Sequence, residues 1–147
     1  MNLAQALKQK NRLAGTLVRQ QQILQRENSR RSDSVSKVYR EAVWAEILRL
    51  SEELGVLKGR ITVANIDIYP KLERLAELKA RVAYITGLSK REGPEVVLIG
   101  RDQEKIEYQW TATINQEKAD ALVAEIQKQI DDLQDQVDRY NSSTDLP

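Results

Sequence analysis

Apolar residues recur along the first part of the chain at the spacing of a helix with one face to bury. Leu3, Leu7, Ala14, Leu17 and Leu24 fall on one stripe at heptad spacing, interrupted by Lys10 and Gln21 and widened by Leu13, Val18 and Ile23. The pattern predicts a helix over about residues 2–28. Gly15 inside it costs about 1 kcal/mol relative to Ala, which a helix of this length tolerates. The polar run Asn28-Ser29-Arg30-Arg31-Ser32-Asp33-Ser34 predicts a turn, with Asp33 or Ser34 placed to cap the second helix. The helical period resumes through Val38, Ala42 and Ala45, and through Tyr39, Val43, Ile47, Leu50, Leu54, Leu57 and Ile61. That predicts a second helix over about residues 35–64. Pro70 suits the first position of a third helix and pushes the residue before it out of the helical region. Leu72, Leu75, Leu78, Val82 and Ile85 mark this helix over about residues 70–87. Gly87 stands where a left-handed cap is wanted, with Leu88 as the hydrophobic contact behind it.

After Gly93-Pro94 the period changes from 3.6 to 2. Glu95 to Ile99 is a short β-rich run, and Ile106, Tyr108, Trp110, Ala112 and Ile114 alternate with polar residues. Together they predict a β-hairpin over about residues 95–114, closed by the polar loop Gly100 to Lys105. An isolated two-stranded hairpin is marginal in water, so it is expected to lie on helices or to add to the hairpin of a second copy. Asn115 caps a last helix, and Ala119, Leu122, Ile126, Ile130, Leu133, Val137 and Tyr140 follow a heptad stripe to about residue 140. Residues 141–147 read as a polar tail. The expected fold is mainly α: one domain, an elongated antiparallel bundle of four helices with coiled-coil character and one hairpin between helices three and four. Elongation is expected because about 30 residues of second helix span ~45 Å, against a radius of gyration of ~15 Å for a compact chain of this size.

Composition narrows the chemistry. Phe is absent and aromatics are only 5%, so the core must be Leu, Ile, Val and Ala. With neither Cys nor His, disulfides, thiolate nucleophiles, thiolate or imidazole metal ligands and imidazole acid–base catalysis are excluded. The lack of Cys fits a reducing compartment. No signal peptide is visible, and no stretch approaches the ~20 apolar residues that span a bilayer. A cytoplasmic protein with no membrane association is the expectation. Net charge is +1, but residues 1–40 hold nine Lys/Arg against two Asp/Glu, while residues 115–147 hold three against eight. A basic first helix and an acidic last helix invite pairing, within one chain or between two.

Candidate sites are few. Ser34-Val35-Ser36-Lys37 matches the Ser-x-x-Lys pattern of acyl-enzymes without its companion motifs. Glu73/Glu77 and Asp131/Asp135 put paired carboxylates on one helix face, among other charges that mark solvent faces. Gly55 and Gly59 have the spacing of a close helix crossing or a soft spot. Trp44 and Trp110 read as packing residues. Arg26, Arg30, Arg31, Lys37 and Arg40 cluster around the first turn and offer a polyanion site. No enzyme activity, cofactor or metal is expected. The expected function is that of a structural or interaction protein that forms a homo-oligomer through amphipathic helices, with Leu122, Ile126, Ile130, Leu133, Val137 and Trp110 as interface residues. The alternatives are a nucleic-acid-binding protein using the basic cluster and a membrane-active protein.

Three stretches carry a family resemblance: Met1-Asn2-Leu3-Ala4-Gln5-Ala6-Leu7, the strand-to-helix run Ile106 to Ile114, and the ending Tyr140-Asn141-Ser142-Ser143-Thr144-Asp145-Leu146. In these the chain resembles a family of small, uncharacterised bacterial helical proteins, some labelled septicolysin-like. The chain departs from the family pattern in a shorter, more basic first loop and in the linker Ile61 to Ile68. The resemblance implies an α-rich fold with coiled-coil character. It implies no functional residue, because the family has no assigned function. The cytolysin label is what suggests the membrane-active alternative.

Overall fold

The computed structural model describes residues 1–147. The protein is mainly α, with four helices and one antiparallel hairpin between the third and fourth: α1 (Leu3–Glu27), α2 (Arg40–Ala64), α3 (Tyr69–Gly87), β1 (Gly93–Ile99), β2 (Glu104–Trp110) and α4 (Gln116–Ser143). The residues group into two compact units, Met1–Tyr69 with Val137–Pro147, and Pro70–Gln136.

In the first unit, Asn2 caps α1 through a reciprocal pair of bonds with Gln5, a capping box. Leu3, Ala6 and Leu13 of α1 bury against Leu50, Leu54, Leu57, Ile61 and Ala64 of α2, with Tyr140 and Leu146 packed at the margin. The period-3.6 stripe of α2 is therefore its core face. Residues 141–147 are not a free tail. Leu3 N–H donates to Thr144 O at 2.8 Å, Leu146 N–H to Met1 O at 3.0 Å, and Arg60 Nε to Pro147 O at 2.7 Å. Asn2 and Asp145 form a β-bridge, and the Tyr140 hydroxyl donates to Ala64 O at 2.8 Å. Backbone, hydroxyl and guanidinium donors thus tie the chain's two ends to α1 and α2.

The second helix begins at Arg40, later than the apolar period suggests. Neither Asp33 nor Ser34 caps it; Tyr39 is the N-cap residue and makes no side-chain cap bond. Ser36 Oγ accepts from Val38 N–H at 3.2 Å and donates to Val38 O at 2.8 Å. That local turn competes with helix formation, and Val35 is left 86% exposed.

In the second unit, Leu75, Leu78 and Ile85 of α3 bury against Ala119, Ile126 and Ile130 of α4. Gly87 does not take the left-handed conformation; the glycines with positive φ are Gly93 and Gly100. Lys90 Nζ caps the end of α3 instead, donating to Thr86 O at 3.0 Å and Leu88 O at 2.9 Å. Asn115 caps α4 as its sequence predicts, its Oδ1 accepting from Lys118 N–H at 2.9 Å. The hairpin pairs Gly93 with Trp110 through to Ile99 with Glu104. Gly100, at φ +77°, turns the chain, and Gln103 N–H closes the loop onto Gly100 O at 3.3 Å. The second strand stops at Trp110 because β1 reaches no further back than Gly93. Ile114, expected in the strand, packs on the α3–α4 core.

Candidate interaction surfaces

Three members of the basic cluster have local partners. Arg30 pairs with the Glu27 carboxylate and donates to Val35 O at 3.1 Å and Ser34 Oγ at 3.4 Å. Arg31 pairs with Asp33 at 2.6 Å. Arg40 Nη1 donates to Asn28 O at 3.2 Å and Glu27 O at 3.4 Å. These three guanidinium groups satisfy groups in the irregular connection between α1 and α2, where no ladder exists to do so. Arg26 and Lys37 make no such bond, so three of the five cations are engaged locally and two are not. Ser34 Oγ donates to Arg31 O at 2.8 Å, a turn bond rather than a nucleophile's partner.

Glu73, Glu77, Asp131 and Asp135 are exposed, and no group of three metal-ligating side chains comes together. On α2, Arg49 is held between Glu46 and Glu53, each at 2.8 Å. The hydrogen bond from Arg49 keeps the Glu46 carboxyl below its usual range. Such an exposed i,i+3/i,i+4 trio is helix surface chemistry.

Two surfaces remain apolar and open. The first is the outer face of α2. Trp44, Leu48, Gly55, Gly59, Thr62 and, just past the helix end, Ile66 recur at intervals of three, four or seven residues on a stripe offset from the core one and interrupted at Ser51 and Glu52. Every one of them is exposed, with Val56 and Val63 beside them. A Cβ at Gly55 or Gly59 would meet nothing within 4 Å. At one end of this face an open cleft of about 1100 Å³ lies between the end of α1 and the start of α2. Trp44, Leu24 and Ile47 form its apolar part, and Gln21, Gln25, Arg40 and Glu41 its polar part.

The second surface is the hairpin. None of its residues is buried and none belongs to either core cluster. Val96 and Leu98 are exposed on one side, and Ile106, Tyr108 and Trp110 on the other. Order comes from a local set of contacts. Arg91 stacks on the Trp110 ring at 4.6 Å and pairs with Glu95 at 2.8 Å. The indole Nε1 donates to Glu95 Oε2 at 2.5 Å. The Glu95 carboxyl is accordingly held below its usual range, first by the indole bond and then by Arg91.

The α4 stripe, expected from its heptad spacing to form an interface between copies, is used inside the chain. Ile126, Ile130 and Val137 are buried, and Leu122 and Leu133 pack on the α3–α4 core. Of the six candidates Trp110 alone stays exposed. A heptad stripe shows that a helix has one partner seam, but not whether α3 or a second copy fills it. The outer face of α2 is legible in the sequence only as fragments: Trp44 reads as a packing residue, and Gly55/Gly59 as a close crossing or soft spot. What links them is their common offset from the core stripe.

No helix is long and apolar enough to cross a membrane. Compared with protein-family models, with curated proteins and with solved structures, the chain matches none.

Proposed function

We propose that this chain works by protein–protein association, self-association included, and performs no chemistry of its own. The observation that carries the reading is that α2 bears a second, largely apolar stripe besides its core face. Its core face is filled by α1, while its outer face is uncovered. Two glycines in the middle of that outer face each cost about 1 kcal/mol relative to Ala in a helix interior. Nothing in the chain packs against them, so internal packing does not account for their small size. A second helix crossing closely would, because small residues let two backbones approach. Trp44 then supplies an aromatic anchor of the kind that dominates binding energy at such interfaces, with Leu48 adding apolar area beside it.

Sedimentation equilibrium tests the proposal. The average mass should rise with concentration above the 16.8 kDa of one chain. Leu48→Glu, which places a charge in the open face, should weaken association without changing helix content by circular dichroism. A wild-type chain that stays at monomer mass up to several hundred micromolar overturns the proposal.

A further inference from the structure

The two edges of the hairpin are not equivalent. Pro94 in β1 lies opposite Gln109, and a proline, having no N–H, fits a ladder where its nitrogen faces away from the partner strand. Antiparallel pairs alternate between those that bond each other and those whose backbone groups point outward. With Pro94–Gln109 facing outward, Val96–Glu107 and Leu98–Lys105 do so too. The outer edge of β1 therefore lacks a donor at Pro94, while that of β2 offers the backbone groups of Lys105, Glu107 and Gln109. All seven residues of β2 are exposed.

We infer that β2 pairs antiparallel with β2 of a second copy, Ile106 facing Ile106 across a two-fold axis. The charges select this register. Centred on Ile106, Lys105 of each copy lies opposite Glu107 of the other, so two opposite-charge pairs form at positions that also exchange backbone hydrogen bonds. Centring on Glu107 or on Lys105 sets like charges face to face, which is destabilising. Centring on Tyr108 carries Lys105 past the end of the partner strand. A lone Lys on an edge strand deters pairing. Lys105 and Glu107, two residues apart on the same side of the strand, are instead self-complementary in an antiparallel dimer. On the other side Ile106 meets Ile106. The contact is small, so weak, concentration-dependent association is expected.

This contact goes beyond the α2 face and does not depend on it. The test is therefore made on the full chain carrying Leu48→Glu, at low salt, by sedimentation equilibrium. Lys105→Glu and Glu107→Lys should each weaken self-association about tenfold, the scale of two like-charge pairs directly opposite. Lys105→Glu combined with Glu107→Lys in one chain should restore it. Mixing the two single variants should give heterodimers tighter than either variant with itself, since positions 105 and 107 are then both acidic in one strand and both basic in the other. The inference is overturned if the Leu48→Glu chain is monomeric throughout, or if all variants associate equally. It is also overturned if the double variant is as weak as the singles, because the substitutions then act by damaging the hairpin. A fall in association from wild type to the Leu48→Glu chain bears on the α2 face, whereas the association that remains in the Leu48→Glu chain, with its charge-swap pattern, bears on the strand, so the two readings fail separately.

Discussion

Glu95 accepts from two donors at once, the Trp110 indole and the Arg91 guanidinium, and its carboxyl is held below the usual range for that reason. A group whose folded-state pKa is depressed stabilises the fold above its unfolded pKa and loses that contribution as pH falls through the folded value. The hairpin should therefore stay ordered at neutral pH and loosen at acidic pH, below the ordinary carboxylate range. Trp110 reports this directly if Trp44 is first replaced by Phe. Its fluorescence should change on acidification, and Glu95→Gln should remove that transition. A transition of the same size in the Gln variant would assign the effect to another group. Because the site is exposed, the consequence is local order in the hairpin rather than global stability. In the sequence, Arg91, Glu95 and Trp110 stand as separate loop and strand residues. Their meeting depends on the register that places Gly93 opposite Trp110, and no spacing rule supplies that.

Among the elements, α2 is where sequence and structure part most usefully. The core face, Ile47 through Ile61, is fully legible because burial imposes the 3.6 period on it. The start of the helix is not, because Ser36 and the arginines of the preceding loop offer the backbone competing hydrogen bonds. The cap at the end of α3 differs from the expected one for a similar reason: Lys90 satisfies the last carbonyls, so Gly87 has no need of a left-handed conformation. The outer face of α2 has no burial to impose a pattern, and its glycines are the only strong signal. They also permit a sharp test. At Gly55 and Gly59 the backbone is helical and the space open, so Gly→Ala should stabilise the isolated chain by about 1 kcal/mol per site. If the outer face receives a close-packed helix, the same substitutions should weaken association while raising the thermal midpoint of dilute protein. Stability and association moving in opposite directions separates a contact surface from a merely soft helix. Association left untouched by Gly59→Ala would show that the glycines have no part in the contact.

At the scale of the whole molecule, the first unit is built from two distant stretches of chain and the second from one continuous stretch. Closing the first unit requires its ends to meet. The bonds that join them are Leu3 N–H to Thr144 O, Leu146 N–H to Met1 O and Arg60 Nε to Pro147 O, with Leu146 packed against the α1–α2 core. Each hydrogen bond contributes about 1 kcal/mol net, so removing residues 144–147 should cost the first unit roughly 3 kcal/mol, with the lost Leu146 contact added. The second unit uses none of these residues. The two tryptophans divide between the units, Trp44 in the first and Trp110 in the second, so single-tryptophan variants read each one separately. On deletion of residues 144–147, the urea midpoint reported by Trp44 should fall while that reported by Trp110 stays in place. Coincident shifts of both probes would mean that the units unfold as one cooperative block. The last four residues would then support the whole chain rather than the α1–α2 core alone.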